Sequence, residues 1–154
     1  MITFKVYLAG SSREPQRVRE MAARIDASGI EIIQRWFDPS DHGTPEEWGG
    51  KDGSIPRGVQ AHLCRGHMRA IAEADVVFVL WPENGILSTC AVELGFAVGK
   101  GKPLVVTGTR SHECTWTALE DTYRDPSDAL GLTEVARRAV EAGAIGLRTK
   151  GRWK

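Results

Sequence analysis

Between Ser88 and Lys100 the chain carries one acidic side chain, Glu93, in a run that is otherwise almost wholly apolar: Ala91, Val92, Leu94, Phe96 and Ala97 surround it. The run has helical character, and Ser88 or Thr89 is placed to cap its start. Glu93 then falls in the second turn, near the helix N-terminus. Apolar surroundings disfavour a carboxylate's charge, while a helix N-terminus and nearby donors favour it. Groups held between such opposing effects are candidates for nucleophilic or acid–base chemistry. A Glu on the solvent face of a surface helix, or one paired with an Arg, is the competing reading.

Gly10-Ser11-Ser12-Arg13 is the second place with chemical potential. It follows an apolar run and precedes a helical pattern. Gly10 lets a ligand approach the backbone, and free N–H groups together with Arg13 attract an anion such as a phosphate. The segment is neither a Walker A motif nor the three-glycine dinucleotide fingerprint. A strand-to-helix turn also needs a glycine and a cap for geometry alone. Four aromatic residues, Trp36, Phe37, Trp48 and Trp81, offer flat faces on which a base could stack. Core packing is the simpler account of Phe37 and Trp81 taken singly. His62, Cys64 and His67 lie close in sequence, as do His112 and Cys114, and Cys90 is also available. None has a standard zinc spacing, and residues two apart on a helix point away from each other. Neither a metal nor an organic cofactor is expected.

The elements that must position these residues follow from periodicity. Thr3 to Ala9 is a buried strand. Ser11 or Ser12 can cap the next helix, with Pro15 in its first turn. That helix carries Val18, Met21, Ala22 and Ile25 on one face and stops near Ser28-Gly29. Glu31 to Phe37 is a second strand. Residues 38–58 are rich in Gly and Pro and form a long irregular segment, of the kind that is usually functional or disordered. Val59 to Glu73 is a helix. Val76 to Trp81 is apolar throughout, as in a central parallel strand covered on both faces. A turn at Pro82 to Gly85 leads to the helix bearing Glu93, which Gly101-Lys102-Pro103 ends. Leu104 to Thr107 is a short buried strand, and Leu119 to Tyr123 a candidate edge strand. A last helix starts around Asp125 to Asp128 and runs to about Ala142. This alternation predicts an α/β three-layer sandwich, Rossmann- or flavodoxin-like, with four or five parallel strands. Ligands of such folds bind beyond the C-terminal ends of the strands. The loops after Ala9, Phe37 and Trp81 should therefore form the site.

Composition narrows the function classes. The chain has 154 residues, with 20 Lys plus Arg against 20 Asp plus Glu. That length fits one domain with a sizeable core. Zero net charge argues against a protein that coats nucleic acid or a membrane surface. The three cysteines form no disulfide framework, which favours a reducing, cytoplasmic setting. Lys5 interrupts the N-terminal run too early for a signal peptide, and no apolar run approaches the roughly 20 residues of a membrane span.

Three segments together resemble the nucleoside 2-deoxyribosyltransferase family, including its deoxynucleoside 5′-monophosphate N-glycosidase branch. They are Val6-Tyr7-Leu8-Ala9-Gly10-Ser11, Ala74-Asp75-Val76-Val77-Phe78-Val79, and Ala91-Val92-Glu93-Leu94-Gly95-Phe96-Ala97 followed by Gly101-Lys102-Pro103. Their order and spacing span residues 4–107; beyond that the likeness is topological. The resemblance implies one such domain over residues 1–154 and an enzyme that cleaves or transfers N-glycosidic bonds of (deoxy)nucleosides or nucleoside 5′-monophosphates. It implies Glu93 as nucleophile, through a covalent glycosyl–Glu intermediate resolved by water or a second base. It implies that Tyr7 hydrogen-bonds and orients Glu93, and that Gly10, Ser11, Ser12 and Arg13 hold the sugar 5′ end or its phosphate. It also implies a homodimer or larger homo-oligomer.

The chain departs from the family at two positions. A catalytic Asp commonly stands eight residues before the strand Asp, and here that position is His67. A histidine can donate a proton to a leaving base. Asp75 matches a structural position at the start of the strand. The family also tends to have Ser or Asp six residues before the nucleophile; here it is Leu87, and Ser88 or Asn84 would take over. These departures leave open a protein that binds a nucleotide on the same fold without turning it over. With Trp36, Phe37 and Trp81, these residues complete the expected site around a small-molecule nucleoside or nucleotide.

Overall fold

The structure, a computed structural model, describes residues 5–38, 57–84, 88–114, 122–125 and 132–150. Five parallel strands form one sheet in the order β2-β1-β3-β4-β5. They are β1 (Lys5–Ala9), β2 (Glu31–Ile32), β3 (Val76–Leu80), β4 (Leu104–Thr107) and β5 (Thr122–Asp125). Among the described residues four α-helices accompany them: α1 (Pro15–Ala27), α2 (Arg57–Glu73), α3 (Ser88–Gly99) and α4 (Leu132–Lys150).

Strand alternation divides the core into two layers. Val6, Leu8, Val76, Phe78, Leu80 and Val105 point to one face, where Val18, Met21, Ala22 and Ile25 of α1 and Leu132, Val135, Ala136 and Ala139 of α4 cover them. Tyr7, Ala9, Val77, Val79, Leu104 and Val106 point to the other, beneath Ala70 and Ile71 of α2 and Cys90, Leu94 and Ala97 of α3. β3 is buried along its whole length, as expected of a strand apolar on both faces. The result is an α/β three-layer sandwich.

The chain moves outward from β1 to β2, then crosses back to place β3 on the other side of β1. Strand order therefore reverses between β1 and β3. In doubly wound sheets a crevice opens beyond the strand ends at such a point. β1 and β3 pair in register from Val6 opposite Val76 to Ala9 opposite Val79. Asp75 fixes their common start, its Oδ2 accepting the Lys5 backbone N–H at 2.9 Å.

Several boundaries differ from the sequence reading. β2 ends at Ile32 rather than Phe37. The chain bends there because Trp36 turns back over the end of β1, its indole N–H donating to the Leu8 carbonyl at 2.7 Å, and Phe37 enters the α1/α4 core. α1 begins behind Glu14 without a side-chain cap, so neither Ser11 nor Ser12 serves as one. Pro15 takes the first turn, where its missing N–H costs nothing. The edge strand is Thr122–Asp125 rather than 119–123, and the last helix starts at Leu132 and continues to Lys150 instead of ending near Ala142. The Gly101-Lys102-Pro103 turn is structural: Gly101 sits at φ 66°, and Lys102 Nζ donates to the Ala74 carbonyl at 2.7 Å.

Gly10, immediately after β1, is required by packing. A Cβ there would lie 2.9 Å from Val18 Cγ2, inside a side chain fixed on the buried face of α1. Gly10→Ala is expected to lower stability by about 1–3 kcal/mol through overpacking. Urea denaturation of the variant measures it, and an unchanged midpoint would show that Val18 has room to move.

Candidate active site

The buried face of α3 consists of Cys90, Glu93, Leu94 and Ala97, the i, i+3, i+4, i+7 set of a core-facing helix. Three of these are small or apolar, and the fourth is a carboxylate. Glu93 is only 4% exposed, so the surface-helix reading does not apply. No arginine pairs with it among the described residues.

Two side chains meet the carboxylate on one oxygen. Tyr7, at mid-β1 and fully buried, donates its phenolic O–H to Glu93 Oε1 at 2.7 Å. His67, from α2, places Nδ1 2.8 Å from the same oxygen. β1 and two helices of different sequence position thus converge on one atom. Burial, and then the negative charge of Glu93, hold the Tyr7 phenol well above the usual tyrosine range. It therefore stays a donor at any ordinary pH. With Glu93 ionised, His67 Nδ1 must carry the proton of its own contact. His67 Nε2, on the far side of the ring, is buried and has no hydrogen-bond partner among the described residues. A buried polar atom left in that condition costs about 1–3 kcal/mol unless a ligand or water meets it.

Of the expected aromatic residues that the structure describes, Trp36 lies beside this group. Its ring centroid is 6.5 Å from that of His67 and 5.7 Å from that of Phe37. Phe37 is a core residue on the α1/α4 side. Trp81, half-buried, packs against the layer holding Tyr7. Trp48, Leu87 and the side chain of Ser88 lie outside the described residues.

The loop after β1 is arranged locally. Ser11 is buried, and its Oγ accepts the Arg13 N–H at 3.2 Å. Ser12 and Arg13 are exposed. Glu14 and Arg17, which residue type alone does not single out, tie this loop to the one after β3. Glu14 Oε1 accepts the backbone N–H groups of Glu83 at 3.0 Å and Asn84 at 3.1 Å. Arg17 pairs with Glu14 Oε2 at 3.0 Å and donates to the Trp81 carbonyl at 3.3 Å. The loops after β1 and β3 are thereby tied across the point where strand order reverses. Asn84, expected at the ligand, instead contributes its backbone N–H to this tie, and its side chain is exposed. Glu14→Ala is expected to cost about 0.5–1.5 kcal/mol, the net range for a hydrogen bond whose exposed donors water can meet instead. Glu14→Gln, which keeps an acceptor oxygen, should retain most of that stability. Thermal denaturation of the pair checks it; equal losses would mean that the hydrogen bonds contribute nothing.

Cys90 and Cys114 are buried and Cys64 is exposed. Burial, and then the Glu93 charge, push the Cys90 thiol far up, which leaves it unreactive. Among the described residues no group of three or more His, Cys, Asp or Glu gathers to hold a metal. Nor is any described helix long and apolar enough to cross a membrane.

No protein-family model matches the chain, and no curated protein matches it in sequence. Among solved structures it is similar to the CMP N-glycosidase BcmB of Clostridium botulinum, with a TM-score of 0.53 at 12% sequence identity, over 89% of this chain and 98% of the other. At that identity the likeness establishes a shared fold.

Proposed function

We propose that this chain cleaves or transfers the N-glycosidic bond of nucleosides or nucleoside 5′-monophosphates, with Glu93 as the nucleophile. The observation that carries this reading is the buried Glu93 carboxylate whose Oε1 receives both Tyr7 and His67. Both contacts fall on Oε1; in this reading Oε2 is the oxygen that meets the incoming carbon. The fold shared with a CMP N-glycosidase supports the same substrate class.

The chemistry follows from these positions. Glu93 Oε2 attacks C1′ of the sugar, the C–N bond breaks, and the bonding electrons leave with the base. Tyr7 holds the carboxylate in its rotamer throughout. His67 in its protonated form gives the Nε2 proton to the departing base, and that nitrogen has no partner among the described residues. Water, or a second base, then attacks C1′ of the glycosyl ester and gives its proton to His67 Nε2, restoring the carboxylate and the protonated histidine and retaining the sugar configuration. Trp36, 6.5 Å from His67 between ring centroids, stacks on the base in this reading, and the loop from Gly10 to Arg13 holds the sugar 5′ end or its phosphate. The active unit is a homo-oligomer, as the family resemblance implies.

The test is incubation with a panel of nucleosides and 5′-monophosphates, followed by chromatography for free base. Release of base with at least one member is expected. A second free base added to the reaction yields a new nucleoside if the chain is a transferase and only sugar if it is a hydrolase. Thermal stabilisation by a nucleotide with no base released by any member would instead identify a non-catalytic nucleotide-binding protein.

A further inference from the structure

Glu83 and Asn84, just beyond the end of β3, are exposed, yet every backbone N–H of residues 81–84 is paired within the protein. The Trp81 N–H donates to the Thr107 carbonyl at 2.9 Å, Pro82 has no N–H, and the N–H groups of Glu83 and Asn84 both go to Glu14 Oε1. Two carbonyls of the segment are held as well. Both Nη groups of Arg17 donate to the Trp81 oxygen at 3.3 Å, and Arg110 Nη1 donates to the Glu83 oxygen at 2.6 Å. Arg17 also faces the Glu83 carboxylate at 3.6 Å. The chain after β4 passes close over the Trp81 oxygen. A Cβ at Gly108 would lie 3.0 Å from that oxygen and 3.5 Å from Arg17 Nη2, and Gly108 sits at φ 117°. The loops after β1 and β4 thus clamp the segment between them, with Arg17 at the centre.

Water could meet the exposed groups of this segment, so each bond adds little net stability. What the clamp fixes is position. Three residues join Asn84 to Ser88, where α3 begins, so the clamped segment is a short tether for that helix. Trp81 adds a second link, packing against the layer that includes Cys90 and Leu94, which flank Glu93 in sequence. α1, the helix of Arg17, covers the opposite face of the sheet. We infer that Arg17 is a positioning residue for the reaction: from that opposite face it holds the start of α3, and with it the Glu93 carboxylate, against Tyr7 and His67. This rests on the N-glycosidic reading above. Attack on C1′ needs the reacting atoms about 3–3.5 Å apart and aligned, and a misplacement of about 1 Å can cost about 10²-fold in rate.

The experiment measures kcat and KM for base release from nucleoside 5′-monophosphates with wild type, Arg17→Met and Arg17→Lys. Each protein is assayed well below its denaturation midpoint and corrected for its folded fraction by circular dichroism. Amide hydrogen exchange is followed by NMR in the same three proteins. Arg17→Met keeps a long side chain and loses its donors. Its kcat should fall about 10- to 100-fold with KM within about twofold of wild type, the pattern of an interaction felt in the transition state. Arg17→Lys keeps one charged donor group and should recover part of that loss. Exchange in Arg17→Met should quicken about tenfold or more at Glu83, at Asn84 and across residues 90–94, and stay as in wild type along β1 and β3. A merely structural role would lower the midpoint while leaving kcat per folded molecule and exchange in α3 unmoved, and that result would overturn the inference. Faster exchange in α3 of Arg17→Met, with no base released by wild type from any nucleotide, would remove the glycosidase reading and leave the positioning of Glu93 standing. Base release at full kcat in Arg17→Met would do the reverse.

Discussion

Glu93→Ala is expected to abolish base release while the chain still folds. A nucleophile that forms the covalent intermediate has no substitute at its position, and its removal costs on the order of 10³-fold or more in kcat. The stability effect should be far smaller, because two changes oppose each other. The variant leaves the Tyr7 hydroxyl and His67 Nδ1 without their acceptor, at about 1–3 kcal/mol for each buried group left unpaired. It also removes the desolvation penalty of a carboxylate that is only 4% exposed. Glu93→Gln keeps a hydrogen-bond acceptor and separates the two effects. It should be as inactive as the alanine variant and closer to wild type in its denaturation midpoint. Measured kcat and urea midpoints for both variants decide the matter; activity retained in Glu93→Gln would mean that no covalent bond forms at this residue.

His67→Ala carries the second largest effect, and its size depends on the substrate. General acid assistance contributes about 10²- to 10⁴-fold where the leaving group needs a proton. Bases that depart poorly as anions should lose activity across that range, and activated bases that leave readily should lose much less. Because His67 touches both Glu93 and the space beyond its own Nε2, a purely orienting role is the alternative. Orientation of Glu93 would be needed equally for every base. A plot of log kcat against the leaving-base pKa therefore separates the two roles: steepening in His67→Ala indicates proton donation, and a parallel downward shift indicates orientation alone.

The contrast between what could and could not be read beforehand has physical causes. β1, β3 and β4 were legible because strands buried on both faces are unbroken apolar runs, and Val76–Leu80 is one. Glu93 stood out for the same reason, as one charge on an apolar helix. β2 was overextended because Trp36 and Phe37 have strand-forming side chains. Those side chains are used for packing across the end of β1 rather than along an edge. α4 was cut short because Gly143 and Gly146 weaken a helix locally, yet the helix continues to Lys150. The tie from Glu14 to Glu83 and Asn84 joins positions 69 and 70 residues apart, through backbone donors that leave no trace in residue type. The convergence of Tyr7 and His67 on one oxygen required three dimensions, although each residue was singled out in sequence by resemblance.

Peptide mass spectrometry of a reaction quenched in acid during turnover tests the nucleophile most directly. The account predicts one glycosyl unit esterified to the peptide bearing Glu93, and none in Glu93→Gln. Steady base release with that peptide unmodified at every quench time, together with full activity in Glu93→Ala, would contradict it.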